Sequence, residues 1–156
     1  MSTNDDLIEV LNDLIQINND RAKGFQTASE DAKKLDVDLH ATFTKMANDS
    51  RKFVAELTSE VQRLGGEAAK GTTTGGKIHR AWMDVKATFT GHDRQAMLDS
   101  CEFGEDHALK AYDHAMESEA EMSAEIRQMI AEQRSTIQKE HDLIKKYRDM
   151  NESVQS

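Results

Sequence analysis

Two stretches of this chain repeat one spacing. In the second half, Glu105 is followed seven residues later by Tyr112 and thirty-three residues later by Gln138-x-x-His141. In the first half, Asn18 is followed seven residues later by Phe25 and thirty-two residues later by Ser50-x-x-Phe53. Apart from Gln138, which sits at the edge of its stripe, each of these residues lies on a stripe that advances in steps of three and four residues, the signature of one face of an α-helix. If two antiparallel helices bring Asn18 and Ser50 to one level, their connection falls at residue 34, where Lys34-Leu35-Asp36 interrupts the pattern. The level of Glu105 and Gln138 puts the other connection near residues 121 and 122, inside the acidic, weakly apolar stretch from Glu117 to Ser123. The midpoints and the pattern breaks are independent of each other, and they agree on two similar hairpins.

The remaining elements follow from the same stripes. Leu7, Leu11, Leu14, Asn18, Ala22 and Phe25 predict a helix over about 4–34. Leu39, Phe43, Met46, Ser50, Phe53, Leu57, Val61 and Leu64 predict a second over about 36–64, ended by Gly65-Gly66. Five of the eight glycines fall between Gly65 and Gly76, a linker without apolar periodicity. Ile78, Trp82, Val85 and Phe89 predict a short amphipathic helix over about 77–89. Met97, Cys101, Glu105, Ala108, Tyr112 and Ala115 predict a helix over about 93–117, and Ile126, Ile130, Ile137, His141 and Ile144 one over about 122–150. There is no proline to break any of them. A helix of ~27 residues spans ~40 Å, a distance that a linker plus a short packed helix can cross. The expectation is one all-α domain over 1–156, a four-helix bundle whose long crossover carries a short extra helix.

Charge and cysteine content exclude several classes. A formal net charge of -9 without a basic cluster larger than Lys145-Lys146-Tyr147-Arg148 argues against nucleic acid, whose phosphates require clustered Lys and Arg. No apolar run approaches the ~20 residues of a membrane span. The single cysteine, Cys101, excludes an internal disulfide and reads as a small core hydrophobe. The first residues, Met1-Ser2-Thr3-Asn4-Asp5-Asp6, lack the basic and apolar regions of a signal peptide. The expected location is cytoplasmic.

Phe43-x-x-Met46-Ala47-x-x-Ser50-x-x-Phe53, Gly104-Glu105 with Tyr112, and Gln138-x-x-His141 resemble the second, third and fourth helices of ferritin-like, rubrerythrin-type proteins. Asn18 stands where a first-helix Glu would be. A nearer resemblance is to a bacterial family of small ferritin-like four-helix-bundle proteins described as of unknown function. It is carried by Leu11-Asn12-Asp13-Leu14-Ile15, Asn18-Asn19-Asp20-Arg21, Arg63-Leu64-Gly65-Gly66, His79-Arg80-x-Trp82-Met83-Asp84-x-Lys86, Gly104-Glu105-Asp106 and His141-Asp142-x-Ile144-Lys145. The resemblance covers nearly the whole chain. It implies a ferritin-like bundle and says little about activity, since a fold does not fix a function.

A di-metal centre in such a bundle takes a Glu from each of two helices and Glu-x-x-His from the other two. The matching positions here are Asn18, Ser50, Phe53, Glu105, Gln138 and His141, of which one is a carboxylate. That is too little negative charge for two hard cations. Two readings stay open. Glu105 and His141 face each other and, with Gln138 or Asn18 and water, hold one iron, zinc or manganese ion. Alternatively the two pair with each other without a cofactor, and Asn18, Ser50 and Gln138 satisfy them by hydrogen bonds, because a buried Glu must be paired or protonated. The second is favoured.

No phosphate loop, nucleophile elbow or Cys-x-x-Cys is present. The leading expectation is a non-catalytic or minimally metal-binding bundle, with a bacterial stress association that the resemblance alone implies. The alternatives are a metal-dependent redox or iron-handling protein using Glu105 and His141, and an interaction module whose crossover helix, around His79 to Lys86, meets a protein partner or a second copy in a homodimer.

Overall fold

The computed structural model describes residues 3–33, 37–71 and 94–155. It is an all-α bundle of four long helices: α1 (Thr3–Ala32), α2 (Val37–Arg63), α3 (Arg94–Glu117) and α4 (Ala124–Gln155). The first turn brackets residue 34 and the second brackets residues 121 and 122, the midpoints of the two repeated spacings. The short helix expected over 77–89, with Arg80 and Trp82, lies outside the described residues.

Each helix buries a stripe in alternating steps of four and three. On α1 it runs Leu7, Leu11, Leu14, Asn18, Arg21, Phe25, Ala28, Ala32; on α2, Leu39, Phe43, Met46, Ser50, Phe53, Leu57. On α3 it runs Leu98, Cys101, Glu105, Ala108, Tyr112, Ala115; on α4, Ile126, Ile130, Gln133, Ile137, Glu140, Ile144. A mean step of ~3.5 residues keeps one seam facing the neighbouring helices over its whole length. Each fully buried Leu, Ile or Phe contributes roughly 1.5–3 kcal/mol, so the stripes hold the bundle together.

The apolar core comes in two parts. One gathers Leu7, Leu11 and Leu14 with Phe53, Leu57, Val61, Tyr112, Ala115, Ile126 and Ile130. The other gathers Phe25, Ala28 and Ala32 with Leu39, Phe43, Met46, Leu98, Cys101 and Ile144. Between them the four stripes turn polar at one level: Asn18 and Arg21, Ser50, Glu105, Glu140. The same grouping fixes direction. The start of α3 packs beside the end of α1, whereas α2 ends beside the start of α1. The connection between α2 and α3 therefore changes ends of the bundle.

The beginning of that connection is tied down in detail. The Gly65 N–H donates to Gln62 O and the Gly66 N–H to Val61 O, both at 3.0 Å, the paired bonds of a Schellman cap. Gly65 has φ 82°, a left-handed conformation that a side chain disfavours. Gly66 is required for a different reason: a Cβ there would lie 2.7 Å from Ile8 Cδ1 on α1. Beyond it, Asn12 donates to Glu67 O at 3.1 Å and accepts from the Ala69 N–H at 2.8 Å. Asn19, two turns further along α1, donates to Gly71 O at 2.7 Å. Residues 67–71 thus lie along α1 from its first half toward its second, the direction that the change of ends demands.

Candidate functional site

The polar layer is organised by Arg21, the largest of the fully buried side chains. All five N–H groups of its guanidinium have acceptors. Nε and Nη2 donate to Glu105 Oε1 at 3.0 and 2.6 Å. Nη2 also donates to Glu140 Oε1 at 2.9 Å, and Nη1 donates to Ser50 Oγ at 2.9 Å and Asn18 Oδ1 at 3.5 Å. The guanidinium carbon lies 5.4 Å from the centre of the Phe25 ring, a further attraction for a desolvated cation. Ser50 passes its own proton to Met46 O at 2.9 Å, so its oxygen is free to accept.

A second branch leaves through Asn18. Its amide donates to Leu14 O at 2.9 Å and to Tyr112 Oη at 2.8 Å. Tyr112 donates to Gln133 Oε1 at 2.6 Å, and Gln133 Nε2 reaches Glu56 Oε1 at 3.3 Å. One hydrogen-bonded chain therefore links all four helices.

Burial disfavours charge on each acid of the layer. It raises Glu105 above the usual carboxylate range although Arg21 pulls it back. It pushes Glu140 up to about 8; Arg21 opposes this, while Glu105 and a hydrogen bond to Asp49 add to it. Asp49 moves the other way, its own burial being outweighed by bonds to Glu140 and Lys45. Burial would lower Arg21, but the two carboxylates more than compensate and it stays charged. The layer thus sets one guanidinium against two buried carboxyl groups whose hold on a proton is raised. The guanidinium, its one strong cation, cannot give up a proton. Glu105 Oε2 and Glu140 Oε2 are buried without a hydrogen-bond partner among the described residues.

Glu105, Asn18 and Ser50, singled out in the sequence, meet in this layer. The expected pairing of Glu105 with His141 does not form: Arg21 takes Glu105, and His141 lies one position past the inward-facing Glu140. The imidazole instead faces α3 at the side of the bundle, with Nε2 2.6 Å from Asp106 Oδ1 and 3.7 Å from Glu102 Oε1. Gln138 also misses the layer, donating to Asp142 Oδ1 at 3.0 Å on the exposed side of α4. Asn18 hydrogen-bonds to Tyr112 and Arg21 instead. The residues that sequence reasoning missed are Arg21 and Glu140. A signal was there: both continue the four–three stripes of their helices.

Among the described residues no helix is long and apolar enough to cross a membrane. A search of curated proteins finds no significant match to the chain. A family model does match, over residues 6–119, from the first turn of α1 to the end of α3, and it includes Asn18, Arg21, Ser50 and Glu105. The chain therefore belongs to the family described as "Domain of unknown function (DUF2383)".

Proposed function

We propose that the protein is a ferritin-like bundle without core redox chemistry, in which the Arg21 guanidinium supplies the positive charge that a di-metal protein of this architecture takes from its ions. The observation that carries this reading is the seating of Arg21, fully buried and bridging Glu105 and Glu140 at 2.6 and 2.9 Å. A divalent cation at the same level would meet a fixed positive charge, and the carboxylate oxygens nearest to it are already engaged. The protein then acts through its surfaces, as an accessory protein; the association with bacterial stress rests on the ferritin-like resemblance.

The test is oxidation of ferrous iron by oxygen or peroxide, followed optically on untagged protein. The expected result is a rate no faster than buffer alone. Rapid turnover that disappears in Glu105→Gln would overturn the reading, because that substitution touches the core layer and nothing on the surface.

A further inference from the structure

His141 leaves the core but does not go to solvent. Its side chain is 13 % exposed, and the Nε2 atom is sealed from water yet has no hydrogen-bond partner. Asp106 Oδ1 lies 2.6 Å away without the geometry of a hydrogen bond. Sealed nitrogens without partners are uncommon, because each forfeits the bond it made to water. Around this one, Glu102 and Asp106 are four residues apart on α3 and so share a face. Their oxygens and a nitrogen of His141 all lie within 4.8 Å of one another.

The neighbours of these groups are arranged to leave one donor atom of each turned inward. Arg148 holds Glu102 by Oε2, while Oε1 faces His141. On the other side of the ring, Asp142 Oδ1 sits 3.5 Å from His141 Nδ1, and Gln138 holds that same carboxylate. Carboxylates thus flank both ring nitrogens; a cation bonded to Nε2 would set the ring proton on Nδ1, where Asp142 can accept it. Metal-binding histidines and carboxylates are held by outer partners in this manner.

We infer that Glu102, Asp106 and His141 form a binding site for one divalent first-row transition-metal cation, in the seam between α3 and α4. One imidazole and two carboxylates suit zinc, manganese or ferrous iron, with water completing the shell. A cation bonded to both Asp106 and His141 at ~2 Å would hold their atoms about 3 Å apart, a change of a few tenths of an ångström from the present contact. The site uses neither Arg21 nor Glu140, so a bundle with an inert core can carry it.

The experiment titrates cobalt(II) into chelator-treated, untagged full-length protein, reading visible absorption, with zinc(II) as competitor. One cobalt per chain is expected, displaced by zinc. Asp106→Asn and His141→Gln should each weaken binding by about tenfold or more, and Glu105→Gln should leave it unchanged. Asp106 is half exposed, so its substitution leaves the fold intact, as a helical melting curve would verify. Failure to bind cobalt, or equal binding by the wild type and both site variants, would overturn the site and leave the reading of the core standing. Binding abolished by Glu105→Gln but kept in Asp106→Asn would overturn both.

Discussion

Tyr112 joins the two branches of the buried layer, accepting from Asn18 and donating to Gln133 with its ring sealed from solvent. Burial pushes its phenol above the usual value of 10, with Asn18 and Arg21 only partly opposing. The folded chain therefore holds this proton more tightly than the unfolded chain. The stability that results is complete below pH 10 and is lost as pH climbs through the raised value. Tyr147→Phe makes Tyr112 the sole phenol. In that variant, tyrosinate absorbance should stay flat above pH 10 and rise together with loss of the helical signal. A rise that precedes unfolding would show that the phenol is not sealed in the layer. The same residues show what a sequence makes legible one position at a time. Asn18, Ser50 and Glu105 could be found because one spacing recurs in both halves of the chain. Arg21 and Glu140 occupy equally regular positions but carry charges, and a charge is buried only when partners from other helices meet it. No single helix reveals those partners.

The end of α2 illustrates the next scale, where two elements constrain each other. Gly66 is pressed against α1: a Cβ would meet Ile8 Cδ1 at 2.7 Å and both other outer carbons of that side chain at 3.0 Å. The whole isoleucine must therefore move, not merely its tip. Gly66→Ala is expected to cost about 1–3 kcal/mol in urea unfolding. Ile8→Ala removes the obstacle, so Gly66→Ala should cost much less in that background. An equal cost in both backgrounds would show that the close approach of α2 to α1 is not what requires glycine. Hairpins were legible from periodicity because their stripes and turns are local features. The clamp of Asn12 on the backbone of Glu67 and Ala69 was not: it bonds to main-chain atoms, which carry no sequence signal.

For the whole molecule, the polar layer sits where the two apolar halves of the core would otherwise be interchangeable in register. Stripes of similar residues on four helices can slide by a heptad at modest cost, and a polar set that must meet at one level opposes this. Its contribution to stability and its contribution to uniqueness can be separated. Arg21→Met alone leaves Glu105 and Glu140 buried without their cation and is expected to cost about 3–5 kcal/mol in chemical denaturation. Replacing the layer as a set, with Arg21→Met, Ser50→Ala, Glu105→Leu and Glu140→Leu, removes the desolvated charges together. That protein is expected to melt at or above the wild-type temperature, because apolar packing often matches or exceeds a buried ion pair. It should also lose the dispersion of its amide and methyl NMR signals as alternative registers become populated. A variant that is both stable and fully dispersed would show that the apolar stripes alone define the bundle, and that the charges of Arg21, Glu105 and Glu140 are kept for some purpose other than register.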